Sequence, residues 1–192
     1  MLYLIGGASR AGKSLLARRL LVEHGVSGFP LDAFMMAAER LPGHGFAVQS
    51  GDSAYQRATA LWPFTSEFIF TAAAQMYDYA FEGDYLLPRR VAVFQKKYPG
   101  LPTRVVFLDY AQADPARKLQ AIREHVSTND WTSQLDDGAL RDLVHRQITF
   151  SRQLQAECAL WGLPYVEVPV ECHVAALARA LAILVRQDGG AG

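Results

Sequence analysis

Gly7-Ala8-Ser9-Arg10-Ala11-Gly12-Lys13-Ser14 reads G-x-x-x-x-G-K-S, a spacing that cradles phosphate. The run before it, Leu2-Tyr3-Leu4-Ile5, is apolar and of strand length. After it, Leu15, Leu16, Leu20 and Leu21 recur at helical spacing around Arg18 and Arg19. The stretch therefore lies between a strand and a helix. In that setting the loop's N–H groups turn inward at a helix N-terminus and hold phosphate oxygens. Residues Gly7, Ala8, Ser9, Arg10, Ala11, Gly12, Lys13 and Ser14 are the expected nucleotide-binding residues. Lys13 is expected to reach the β- and γ-phosphates, Ser14 to ligate Mg²⁺, and the Arg10 side chain to face solvent.

Outward from the loop, strands and helices alternate. Gly28 to Leu31 is a short strand closed by Asp32, and Ala33 to Arg40 is a helix. Leu41 to Asp52 holds Pro42, Gly43, Gly45 and Gly51 and reads as a long loop. Ser53 to Gln75 reads as a helix capped by Ser53 and interrupted at Pro63. Tyr77 to Phe81 alternates as a strand, with Tyr77, Tyr79 and Phe81 on one face. Pro88 begins a helix that Pro99-Gly100 stops. Arg104 to Asp109 is β-branched and apolar, the mark of a central strand. Asp114-Pro115 opens a helix to about Val126, and Ser127 to Thr132 breaks it. A long helix from Asp137 to Trp161, a strand from Pro164 to Val168 and a helix from His173 to Val185 complete the pattern. The expectation is an α/β fold of three layers (α/β/α) around a five-stranded parallel sheet. It forms one domain over residues 1–187, with a lid about 111–140 and a disordered tail over 188–192.

Composition narrows the function classes. The 192 residues carry 19 lysines and arginines against 19 aspartates and glutamates, so no nucleic-acid partner is expected. Cys158 and Cys172 lack metal-ligand spacing, as do the five histidines. No basic region followed by a long apolar stretch stands at the N-terminus, and no apolar run is long enough for a bilayer. A cytoplasmic protein without a membrane partner is the expectation.

Open α/β sheets bind ligands at the carboxyl ends of their strands. Two acids stand at such ends. Asp32 follows the second strand and is expected to hold Mg²⁺ or to accept a proton from an attacking hydroxyl, with helix capping as the alternative. Glu82 follows the third strand and is expected to hold the Mg²⁺ shell or orient a nucleophile, with a surface glutamate as the alternative. Asp84 competes for that role, but Glu82 is closer to the strand end.

These residues together, Gly7–Ser14, Asp32 in Phe29-Pro30-Leu31-Asp32-Ala33-Phe34, and Glu82-Gly83-Asp84-Tyr85-Leu86-Leu87-Pro88, resemble small P-loop kinases of the adenylate-kinase-like superfamily. The last stretch is similar to one in 2-phosphoglycerate-kinase-like and zeta-toxin-like proteins. The resemblance covers about the first 110 residues well and the rest loosely. It implies the P-loop NTPase fold, sheet order 2-3-1-4-5, ATP as donor, Mg²⁺, and transfer to an acceptor hydroxyl or phosphate. It places Lys13, Asp32 and Glu82 in catalysis and Ser14, Asp32 and Glu82 near metal.

Transfer of a phosphoryl group also needs positive charge, for which Arg117 and Arg123 are candidates; Arg123 is preferred because it lies near the Ser127–Thr132 break. Tyr55, Arg57 and Trp131 are candidates to grip a small-molecule acceptor, with a core role as the alternative for Tyr55. The leading function is an ATP- and Mg²⁺-dependent small-molecule kinase. The alternatives are a nucleotide-gated regulatory ATPase and a toxin-type sugar-nucleotide kinase. No N-K-x-D stretch follows Val105-Val106-Phe107-Leu108-Asp109, which disfavours a guanine-reading switch.

Overall fold

A computed structural model of the chain describes residues 1–41, 46, 48, 51–75, 78–125 and 131–186, with only the backbone of Ala38 and Trp131. The expected tail at 188–192, most of the Leu41–Asp52 loop, Tyr77 and the 126–130 part of the expected lid lie outside the described residues.

The strands are β1 (Leu2–Gly6), β2 (Ser27–Pro30), β3 (Tyr79–Gly83), β4 (Thr103–Asp109) and β5 (Tyr165–Glu167). The helices are α1 (Lys13–His24), α2 (Leu31–Arg40), α3 (Ala54–Gln75), α4 (Pro88–Lys97), α5 (Pro115–Glu124), α6 (Asp137–Trp161) and α7 (His173–Val185). A 3-10 turn, Trp131–Gln134, precedes α6. The sheet is parallel throughout, in the order β2-β3-β1-β4-β5, as expected. Every residue of β1 is buried, because helices cover both faces of a parallel sheet. Alternation then divides the core. Leu2 and Leu4 join Phe81, Phe107, Val91 and Phe94 on one face; Tyr3 and Ile5 join Leu16, Leu20, Val106 and Leu181 on the other.

Local signals set most boundaries. Gly25 ends α1 in the left-handed region, and Gly162 does the same for α6. Ser53 Oγ accepts the Gln56 N–H while Gln56 Oε1 accepts the Ser53 N–H, a reciprocal cap on α3. Asp114 Oδ1 caps α5 by accepting the Arg117 N–H at 2.9 Å.

Three expectations are corrected. Pro63 does not interrupt α3, which runs unbroken from Ala54 to Gln75. Its ring sits on the exposed face, while Leu61, Trp62, Thr65 and Ile69 bury the opposite one, so packing outweighs one lost backbone bond. The third strand runs to Gly83 instead of ending at Phe81, which puts Glu82 inside the strand. Asp32 neither ends the second strand nor caps a helix: α2 begins at Leu31, and Asp32 lies in its first turn.

The turn after β1 depends on Gly7. Its φ is +136°, and a Cβ there would lie 1.8 Å from the Leu108 carbonyl oxygen. Gly7→Ala is expected to destabilise the fold by about 3 kcal/mol or more, since strained φ and a clash with backbone add. Thermal melts would show this as a fall in Tm of roughly 6–12 °C.

Candidate active site

The Gly7–Ser14 loop joins β1 to α1 at the carboxyl edge of the sheet. Among the described hydrogen bonds, none uses the backbone N–H of Gly12, Lys13 or Ser14. These are the first donors of α1, without intrahelical acceptors, the kind of helix start that can hold an anion. The first half of the loop is bolted down instead. The Ala8 N–H donates to Asp109 Oδ1, and the Ser9 N–H to Gln147 Oε1 at 3.2 Å. The Tyr110 hydroxyl donates to the Ser9 carbonyl at 2.6 Å and Lys118 Nζ to that of Arg10 at 3.1 Å. The Arg10 guanidinium donates to Thr132 Oγ1 at 2.8 Å; Arg10 thus ties the loop to the 3-10 turn instead of facing solvent.

Both functional side chains of the loop meet acids from the end of β3. Residues 80, 82 and 84 share one side of the extended chain, the side that faces α1. The Ser14 hydroxyl donates to Glu82 Oε1 at 2.8 Å. Lys13 Nζ donates to the Ala8 carbonyl at 2.9 Å and to Asp84 Oδ1 at 2.5 Å. Asp32 approaches from α2, where its Oδ1 accepts the Asp84 N–H at 2.7 Å. Gly83 makes that approach possible: a Cβ on it would stand 2.5 Å from Asp32 Oδ1. The structure therefore joins Lys13, Ser14, Asp32 and Glu82 in one site, and adds Asp84 as a direct partner of Lys13.

Charge in this cluster is unevenly held. Burial pushes the Asp32 carboxyl up to about 7; the Asp84 charge adds to the rise, while Lys13 and the Asp84 N–H oppose it. Burial pulls the Lys13 ammonium down, but the fields of Asp84, Asp32 and Glu82 outweigh it, and its pKa stands above the ordinary lysine value. Asp109, fully buried at the end of β4, is also raised to about 7 by burial, against hydrogen bonds from the Ser151 hydroxyl and the Ala8 N–H.

Asp109 gives a pH signature. Its folded pKa exceeds the unfolded value near 4, so it costs the fold nothing below that value, and stability falls as pH rises from there to about 7 and levels off above it. Asp32 adds a fall of the same sign. Thermal melts from pH 5 to 8 should show a declining Tm, and Asp109→Asn should remove about half of the slope.

Two of the acceptor-side candidates, Arg57 and Tyr55, are engaged by carboxylates. Arg57 Nη1 pairs with Glu39 Oε2 at 2.8 Å, and Glu39 Oε1 accepts the Tyr85 hydroxyl at 2.9 Å. The Tyr55 hydroxyl donates to Glu157 Oε1 at 2.5 Å, and Glu157 Oε2 accepts the Arg89 N–H at the start of α4. Burial, then Glu157, pushes the Tyr55 phenol up to about 12. Arg123 lies in the last turn of α5 with its guanidinium on Asp137 at 2.5 Å, both exposed. The Trp131 side chain lies outside the described residues. Arg117 pairs with Glu171 at 3.0 Å on the wall of a cavity of about 400 Å³. Gln112, Glu167, Pro169 and Val170 also line it, at the carboxyl ends of β4 and β5.

Sequence reading ranked Asp84 second to Glu82 and did not single out Tyr110, Lys118 or Gln147. Asp109 carried a signal, an acid closing a β-branched strand; Lys118 and Gln147 carried none, because helical faces 100 residues away bring them to the loop.

Among the described residues no three histidine, cysteine, aspartate or glutamate side chains form a metal cage. The donor set suits Mg²⁺ nonetheless, because that ion takes one or two carboxylates and completes its shell with water and phosphate oxygens. Ser14 and Glu82, already in contact, are the residues that fit it.

No protein-family model and no curated protein sequence matches the chain. Solved structures do. Shikimate kinase from Bacteroides thetaiotaomicron is similar at TM-score 0.51 and 13% identity, over 93% of this chain and 95% of that one. A gluconokinase from Sinorhizobium meliloti 1021 is similar at TM-score 0.51 and 15% identity, over 94% and 90%. The YorR protein of Bacillus subtilis, solved with phosphorylated GDP, is similar at TM-score 0.50 and 16% identity, over 89% and 86%. Sheet order, the loop between β1 and α1 and these likenesses together make the chain a protein of the P-loop NTPase fold.

Proposed function

We propose that the protein is an ATP- and Mg²⁺-dependent phosphotransferase that phosphorylates a small molecule. The observation that carries this reading is the meeting of Asp32 with the Lys13–Asp84 pair beside a phosphate cradle. A buried carboxylate raised to about 7 is suited to take a proton at neutral pH. The names of the structural neighbours, shikimate kinase and gluconokinase, support the same class. In this reading the N–H groups of Gly12, Lys13 and Ser14 and the Lys13 ammonium hold the β- and γ-phosphates. The cavity beside Arg117, Pro169 and Val170 takes the base end. Mg²⁺ held near Ser14 and Glu82 would neutralise phosphate charge. Asp32 accepts the acceptor hydroxyl's proton as the oxygen–phosphorus bond forms and ADP leaves. Tyr55 and Arg57 line the acceptor side, with Arg123 and Trp131 on the lid; Arg123 must leave Asp137 to reach phosphate. The partners are ATP and a small molecule, not nucleic acid or membrane, and the compartment is the cytoplasm; among the described residues no helix is long and apolar enough to cross a membrane.

The test is a thermal-shift screen of acceptors with a non-hydrolysable ATP analogue and Mg²⁺, followed by ADP-release assays on those that stabilise the protein. ADP release that depends on such a compound supports the reading. Robust hydrolysis that no sugar, nucleoside, nucleotide or hydroxy acid stimulates would overturn it.

A further inference from the structure

Lys13 is held by acceptors of the protein itself. It is 5% exposed, and two of its three protons go to the Ala8 carbonyl and to Asp84 Oδ1. Asp84 is more open, at 21% of its side-chain surface, while the ammonium it holds is buried. The cradle N–H groups of Gly12, Lys13 and Ser14 belong to the same helix start. A phosphate seated on them brings an anionic oxygen to the ammonium that Asp84 now holds. Two anions on one ammonium repel each other strongly in a partly buried site. The Asp84 backbone cannot simply retreat, since its N–H is fixed on Asp32 Oδ1 at 2.7 Å. The side chain has to swing away instead.

We propose that Asp84 is a placeholder for the nucleotide's phosphates: its carboxylate occupies Lys13 in the free protein, and nucleotide entry exchanges one anion for the other. This rests on the phosphate-loop reading above and goes beyond it by giving Asp84 a role distinct from Glu82, which contacts Ser14, not Lys13. The exchange explains how three acids are tolerated beside one lysine before nucleotide arrives. It also implies that the protein binds nucleotide more weakly than its cradle allows, because each binding event breaks the Lys13–Asp84 pair. Asp32 is the internal control. It also acts on Lys13 through its charge, but its described hydrogen bond goes to the Asp84 N–H.

The experiment is titration of a fluorescent ATP analogue in EDTA at pH 8.5, above the raised Asp32 value, into wild type, Asp84→Asn, Asp84→Ser and Asp32→Asn. Circular dichroism melts certify that each is folded. The placeholder predicts that the folded Asp84 variants bind at least tenfold more tightly than wild type, with Asp32→Asn within about threefold of it. Equal or weaker binding by the Asp84 variants would overturn the proposal. An Asp32→Asn gain as large as theirs would also overturn it, by showing a general field instead of a contact. If wild type and every variant fail to bind at millimolar analogue, the phosphate-loop reading itself fails.

Discussion

Lys13→Ala is expected to abolish ATP-dependent turnover and, separately, to destabilise the protein. The first effect follows from the proposed site: without the ammonium, the loop loses the buried cation that would face the β- and γ-phosphates. The second follows from what Lys13 leaves behind. Asp84 loses its ion pair, and Asp32 and Glu82 lose the cation that acts on all three. Removing one partner of a buried pair costs about 3–5 kcal/mol, and the partial exposure of Asp84 places this case near the lower end. For a chain of this size that is a Tm lower by about 6–12 °C. The loss should shrink at pH 5, where Asp32 is protonated in both proteins and less charge is stranded. Melts of both proteins at pH 5 and pH 8 check it; equal Tm values at pH 8 would mean that Lys13 does not hold the acid cluster together.

Asp32→Asn should lower kcat by a factor on the order of 10² or more while changing nucleotide affinity by less than about threefold. An asparagine can still accept the Asp84 N–H, so the Asp84 backbone keeps its position. What is lost is the ability to take a proton. In wild type, kcat/KM should fall with unit slope as pH drops through about 7, because the carboxylate with that raised pKa becomes protonated. Asp109 rises to a similar value but lies buried behind the loop, away from any acceptor. The limb should therefore vanish in Asp32→Asn and persist in Asp109→Asn. A large loss of nucleotide affinity in Asp32→Asn would assign Asp32 to metal instead.

Strand and helix placement was legible because each rests on a local signal, whereas the strand order was legible only through the resemblance to small P-loop kinases. The apolar run of β1, the glycine stops at Gly25 and Gly162 and the caps at Ser53 and Asp114 all act within a few residues. The misreadings came where tertiary packing overrides such signals. Pro63 looked like a helix breaker, yet its ring points to solvent while the other face of α3 is buried. Asp32 was read as a site residue at a strand end, with helix capping as the alternative; it lies instead in the first turn of α2, where Gly83 leaves room for it to reach the neighbouring turn. At the site, Lys13 and Ser14 were readable from motif spacing, and Glu82 from its place near the end of the third strand. Arg10 was not, because its partner, Thr132, lies 122 residues away. Asp84 was ranked second because distance from a strand end says nothing about which carboxylate meets which side chain of the loop. Tyr55 and Arg57 were legible as polar residues of α3, but not their partners Glu157 and Glu39.

The central claim is that Lys13, Asp32 and the loop between β1 and α1 move a phosphoryl group to an acceptor instead of to water. A single-turnover reaction with γ-labelled ATP, Mg²⁺ and an acceptor that raises Tm tests it most directly. The account predicts one labelled phosphoryl group on the acceptor for each ADP formed, with transfer slowed at least about 100-fold in Asp32→Asn. Label appearing only as inorganic phosphate, at the same rate with and without acceptor, would contradict it.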